Sequence, residues 1–272
     1  MSATTDATTD ATPALRTDDL IVPSWPAPSN VHALMTTRRG GVSAGPYGAA
    51  SQGGLNLGMG SSDARGYARE AVLTNRARLR AHLPAEPRWV KQVHGVRVVD
   101  AAQVGDAVVE ADASFADDHR IVCAILVADC MPVLFCNRQG TRVAAAHAGW
   151  RGLAAGVLEA TIDASGLDPE DTIAWIGPAI GPARFEVGDN VRDAFVAHDS
   201  ASGTAFEAHD HGKWHADLPA LARMRLQARG VRDVFESGLC TASDAARFYS
   251  YRRDGVTGRM AALIWIDRHA LV

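Results

Sequence analysis

"ILVADCMPVLF", residues 125–135, is the stretch on which the reading of this chain turns. Its apolar residues suit a strand covered on both faces, which reads as a near-continuous hydrophobic run. Asp129 and Cys130 nevertheless stand in its middle. The companion stretch "TRVAAAHAGWRG", residues 141–152, breaks its own apolar pattern with His147 and Arg151. Packing alone gives no reason to place a carboxylate, a thiol and an imidazole in a sheet core.

The two stretches are joined by "NRQG". If Arg138 and Gln139 form a two-residue turn, Cys130 falls directly opposite His147. The terminal Asn and Gly also suit a type I turn with a bulge, which shifts the partner by one residue. Opposed Cβ atoms lie roughly 4.5–5.5 Å apart, close enough for both side chains to hold one metal. His94, in "KQVHG", offers a third ligand. One thiolate and two imidazoles form a set suited to zinc, with one coordination position left for water or substrate. A lone buried cysteine is ordinarily a small core hydrophobe, and that reading is kept for Cys123 and Cys136. His209, His211 and His215, in "HDHGKWH", read as a solvated loop.

Working outward, "DARGYAREAVLTNRARLRAHL" predicts a helix with Ala68, Val72, Leu79 and Leu83 on one face. "GLAAGVLEATIDAS" predicts a second, and "DLPALARMRLQARG" a third that Gly230 stops. "VHALMTTR" and "RMAALIWI" read as strands near the two ends of the chain. Sheet in the middle with helices outside makes the fold class α+β in one domain.

The 272 residues are enough for a large single core. A formal net charge of -4 gives no basic footprint for nucleic acid. No apolar run reaches the roughly 20 residues of a membrane span. The N-terminal "MSATTDATTDATPALRTDD" has neither the basic nor the apolar region of a signal peptide. Its Thr/Asp/Ala repetition predicts a disordered tail over residues 1–22, with the folded domain at 23–272. Cys123, Cys130 and Cys136 crowd one apolar run and Cys240 stands apart, so a reduced, cytoplasmic setting is expected rather than a disulfide framework.

Arg38 precedes Gly40 and Gly41, Arg151 sits in "HAGWRG", and Arg253 in "FYSYRRDG". Gly-flanked arginines at strand ends point to anion handling, because guanidinium pairs bidentately with phosphate or carboxylate. Asp129 reads either as a proton carrier, as the orienter of a ligand histidine, or as a buried hydrogen-bond anchor.

"MTTRRGGVS", "NLG", "VKQVHG", "VADCMPVLF", "AAHAGWRGL", "IGPAIGPARFEVG" and "CT…FYSYRRDGVTGR" occur here in the order of the laccase-domain family. The chain resembles that family from about residue 31 to 266. Its members have been called polyphenol oxidases and are also described as purine nucleoside phosphorylases and adenosine deaminases. The resemblance implies an αββα-like sandwich with a mixed central sheet and outer helices, related to a bacterial toxin fold with a catalytic Cys–His pair. It also implies zinc ligands at His94, Cys130 and His147. One departure is Gly60, where many members carry a histidine.

The leading expectation is a zinc enzyme that acts on purine nucleosides, a monomer or small homo-oligomer. An open metal position can activate water for attack on adenine, while phosphorolysis needs phosphate held near the ribose, a task suited to Arg38, Arg151 or Arg253. Copper-dependent phenol oxidation fits poorly, because His209 and His211 are the single His-x-His pair. A metal-free hydrolase with Cys130 as nucleophile and His147 as base is the other candidate, and some bacterial relatives are linked to editing of peptidoglycan precursors.

Overall fold

The apolar run around Asp129 is two strands in two different sheets. The computed structural model describes residues 15–49, 53–60, 67–105 and 107–267. In it β6 (Val122–Val127) and β7 (Met131–Asn137) flank a bend at residues 128–130. Asp129 takes φ 87°, a left-handed conformation that costs a non-glycine residue roughly 1–3 kcal/mol and persists only where the surroundings hold it. Three hydrogen bonds to its carboxylate do so. They come from Thr241 Oγ1 at 2.6 Å, Ser250 Oγ at 3.0 Å and the Arg252 amide at 2.6 Å. The bend carries the chain from one sheet to the other.

β6 belongs to a five-stranded sheet in the order β1 (Leu20–Ile21), β2 (Val31–Thr36), β14 (Met260–Ile266), β6, β3 (Pro87–Arg88). β7 belongs to a six-stranded sheet in the order β13 (Asp233–Glu236), β9 (Thr172–Ile176), β7, β8 (Val143–Ala148), β5 (Ala113–Ala116), β4 (Val98–Asp100). Both sheets mix parallel and antiparallel pairs. A three-stranded sheet of β10 (Glu186–Val187), β12 (Lys213–Ala216) and β11 (Phe206–His209) lies beside them in the chain. The two mixed sheets of five and six strands are the ββ layers of the expected αββα-like sandwich.

Side-chain alternation explains why the runs are apolar throughout. On β6, Cys123 and Ile125 face Leu134, Cys136 and Trp175 of the other sheet, while Val122 and Ala124 join Leu79 and Leu83 on the outer side. Leu79 lies on α1 (Tyr67–Arg80). On β7, Val133 and Phe135 pack outward on Leu158 and Ile162 of α3 (Val157–Ser165) and Leu221 of α5 (Leu218–Ala228). α2 (Trp150–Ala155), α4 (Asp189–Val196) and α6 (Tyr251–Asp254) complete the helices. The layers run helix, sheet, sheet, helix, so the fold is the α+β sandwich expected.

The tail is shorter than expected at its inner end. Leu15 is buried and Leu20–Ile21 pairs with β2, so residues 15–22 join the fold, while residues 1–14 lie outside the described ones. The predicted helix face holds at Val72 and Leu79; the helix ends at Arg80, so Leu83, also buried, lies past it, and the Ala68 side chain is outside the description.

Candidate metal centre

The β7–β8 hairpin turns later than a two-residue loop requires. Asn137 Oδ1 accepts from the Thr141 and Arg142 amides at 2.9 and 3.0 Å. These bonds stand in for ladder bonds and leave residues 138–141 as the loop. His147 therefore pairs with Pro132 rather than Cys130, a shift of two residues. An even shift preserves the face, so the thiol and the imidazole still meet. Gly149 lies against Cys130 and His94: a Cβ there would stand 2.9 Å from Cys130 Sγ and 3.1 Å from His94 Cδ2.

His94 arrives from the loop between β3 and β4 with φ 61°, and its Nε2 lies 3.7 Å from Cys130 Sγ. The His94 and His147 rings meet edge-on with centroids 4.8 Å apart. One donor atom from each of His94, Cys130 and His147 lies within 4.8 Å of the others, the only such group among the described residues. The three expected ligands thus converge.

Asp112, which the sequence reading passed over, organises the site. It is fully buried ahead of β5 and accepts from the amides of Val93, His94 and Gly95 at 3.1, 2.9 and 2.7 Å. Those bonds hold the left-handed turn at His94. Its Oδ1 also lies 2.8 Å from His147 Nδ1. Burial works against the Asp112 carboxylate, but the hydrogen bonds from His147, Gly95 and Val93 outweigh it and keep the group ionised below the usual carboxylate range. An ionised carboxylate only accepts, so Nδ1 carries the proton and Nε2 faces the other two ligands. The orienting role considered for Asp129 belongs to Asp112. Asp129 is instead the anchor of the sheet-switching bend. An aspartate directly before a strand, inside "EADASFA", was the available signal.

The electrostatics fit a metal. Burial opposes the Cys130 thiolate, yet the bonds and charges of His147 and His94 bring the thiol down to about 6. Burial likewise opposes charge on His147, yet Asp112 and Cys130 carry it up to about 9. Without a metal the pair is thus a thiolate beside a charged imidazolium, with Asp112 holding the proton on Nδ1, so that a metal would displace the proton on Nε2.

The trio lines a cavity of about 1020 Å³, together with Trp89, Gln92, Tyr251 and Gly60 among others. A Cβ at Gly60 would meet nothing within 4 Å. Arg38, Arg151 and Arg253, the arginines expected to handle the anion, are not among the residues that line this cavity. Arg38 donates to Ala245 O at 3.0 Å and Gly48 O at 2.6 Å. Arg253 binds Thr241 O, Ala242 O and Phe248 O. Arg151 is exposed and lies over the Trp150 ring. Loop carbonyls take up the first guanidinium group, and carbonyls together with the Asp254 carboxylate at 2.7 Å take up the second.

A four-layer sandwich with one His–Cys–His centre at a cavity wall defines the class of protein. The chain belongs to the family described as multi-copper polyphenol oxidoreductase laccase, which matches residues 32–267. A purine nucleoside phosphorylase of Pseudomonas aeruginosa is 51% identical over 91% of this chain and 98% of its own. Purine nucleoside phosphorylase YfiH of Escherichia coli is 49% identical over the same shares, 91% and 98%. A crystal structure of a Neisseria meningitidis protein superposes with TM-score 0.85 at 47% identity, covering 92% of this chain and 100% of that one. No helix among the described residues is long and apolar enough to cross a membrane.

Proposed function

We propose that this chain is a zinc-dependent purine nucleoside phosphorylase that also deaminates adenosine. Adenosine, inosine, guanosine and S-methyl-5'-thioadenosine are its candidate substrates, with phosphate as co-substrate. The observation that carries the reading is the convergence of His94, Cys130 and His147 on one cavity, with Asp112 behind. Relatives named purine nucleoside phosphorylase, one of them 51% identical, support the activity. The donor set favours zinc over several coppers, because a single trio is present among the described residues.

Zinc held by His94, Cys130 and His147 would supply a Lewis acid. The chain's own residues do the rest. Asp112 keeps a proton on His147 Nδ1, so that Nε2 is the nitrogen that would give up its proton to a metal, and its three backbone bonds fix His94. The cavity volume of about 1020 Å³ accommodates a nucleoside, since small-molecule sites run to roughly 300–1,000 Å³. A reducing, cytoplasmic setting remains part of the proposal. The test is elemental analysis for zinc, then incubation with inosine or adenosine with and without phosphate. Release of base and ribose 1-phosphate, dependent on zinc, is expected. Turnover indifferent to both phosphate and chelator would overturn the reading.

A second reading rests on the same electrostatics. A thiolate at Cys130 beside a charged His147, with Asp112 orienting the ring, is also the arrangement of a cysteine hydrolase. In that case an amide of a peptidoglycan precursor would be the substrate. Hydrolysis that survives complete removal of metal distinguishes it.

A further inference from the structure

We propose that Arg76 and Arg259, with Arg69 beside them, form a subsite for a phosphate dianion in the cavity that holds the metal ligands. The anion's role as co-substrate rests on the phosphorylase reading; its binding does not.

The cavity wall carries Arg69, Arg76, Arg88, Lys91 and Arg259 against a single carboxylate, Glu86. That excess is local, because the whole chain holds 31 acidic residues against 27 Lys and Arg. Lys91 is already paired with Glu110 at 2.8 Å, and Glu86 accepts from Trp89 Nε1 at 3.3 Å. Among the described residues Arg76 and Arg259 donate only to main-chain carbonyls. Arg76 Nε and Nη2 reach Leu57 O at 3.1 and 2.9 Å. Arg259 Nη1 reaches Thr257 O and Gly258 O at 3.1 and 3.0 Å. A carbonyl orients a guanidinium but does not neutralise its charge. Burial, offset in part by the Glu86 charge, lowers Arg76 to about 10, which marks a cation short of a counter-ion.

The two groups flank one short loop. Leu57 O takes Arg76, while the Leu57 amide donates to Arg259 O at 3.0 Å. A Cβ at Gly58 would stand 2.8 Å from Arg259 Cγ, so the glycine of "NLG" lets that side chain lie against the loop. Arg76 is held from its other side by the Trp89 ring, 4.1 Å from the guanidinium carbon. Arg69 precedes Arg76 by two helical turns on α1 and so lies on the same face. Prepositioned guanidinium forks suit an anion with several acceptor oxygens. Both inorganic phosphate and the phosphoryl group of a nucleotide have that chemistry.

The test titrates the zinc-loaded full chain with inorganic phosphate by calorimetry and measures the phosphate KM. The variants are Arg69→Gln, Arg76→Gln and Arg259→Gln, and Arg232→Gln is the charge control because it is exposed and pairs with Glu170 at 3.6 Å. Phosphate affinity should fall by about tenfold or more in the Arg76 and Arg259 variants, with zinc content and nucleoside affinity kept and the control unchanged. Arg69→Gln, at an exposed position, covers the case in which losing the stack on Trp89 unfolds Arg76→Gln. A parallel titration compares a nucleoside 5'-monophosphate with its nucleoside. Tighter binding of the nucleotide, lost in the same variants, assigns the subsite to a phosphorylated ligand. Arginine-dependent phosphate binding without phosphorolysis keeps the subsite and removes the phosphorylase reading. Folded variants that bind both anions as the unaltered chain does would overturn the subsite.

Discussion

Asp112→Asn is the most informative single change, because it alters charge and hydrogen bonding while keeping shape. The carboxylate accepts four bonds: Oδ1 from the His94 amide at 2.9 Å and His147 Nδ1 at 2.8 Å, Oδ2 from the Val93 and Gly95 amides at 3.1 and 2.7 Å. An amide has one oxygen. If that oxygen replaces Oδ1, its NH2 faces two backbone N–H donors and two charge-assisted bonds are lost. At about 1.5–3 kcal/mol each, the direct loss is about 3–6 kcal/mol before the loop relaxes. If the amide flips, NH2 faces Nδ1, His147 moves its proton to Nε2, and the lone pair that a metal needs is gone. Either way metal affinity should fall by about 10–100-fold. Competition against a chromogenic chelator measures this, and thermal melting of metal-free and metal-loaded protein separates it from unfolding. An Asn variant that binds zinc within about twofold of the unaltered chain would refute the assignment of Asp112 as the organiser of the centre.

Cys130→Ser should lose zinc and nucleoside turnover together while the fold is kept, checked by elemental analysis and circular dichroism; full zinc and full turnover would return the thiol to a packing role. In the metal-free protein the Cys130 thiol, lowered to about 6, should be a thiolate above that pH and protonate as the pH falls through it. Thiolate absorbance should show this step, absent in Cys130→Ser, and a step near the ordinary thiol value would contradict it. With His147 raised to about 9, metal binding between these two values should displace one proton, so affinity should rise about tenfold per pH unit there, read by calorimetry in buffers of different ionisation enthalpy. Arg253→Ala should lower thermal stability, since the guanidinium ties down Thr241 O, Ala242 O and Phe248 O. Its phosphate KM should stay within about twofold of the unaltered chain, and a large rise in KM at unchanged stability would restore this arginine to the anion site.

The sequence by itself carried the layered α+β character and the ligand trio. Runs such as "AILVADCMPVLF" need cover on both faces, and polar residues inside them need a task, so Cys130 and His147 stood out and His94 in "KQVHG" offered the third ligand. The amphipathic period of α1 and α5 was readable for the same reason, since it depends only on local spacing. Tertiary structure decided the rest. Whether the run at 122–137 is one strand or two depends on a left-handed Asp129, and donors from residues 241, 250 and 252 hold it there. No local pattern announces bonds that span more than a hundred residues. The hairpin register followed the Asn137 side chain rather than the turn consensus. The arginines show the same limit. Arg38 and Arg253 sit in the more suggestive motifs, yet their guanidinium groups are taken up by loop carbonyls and, for Arg253, by the Asp254 carboxylate as well. Arg76, in an ordinary helix, faces the cavity because α1 packs on the five-stranded sheet where Trp89 can hold it. Charge in a sequence has sign and spacing, but only packing decides which charges are left without a partner.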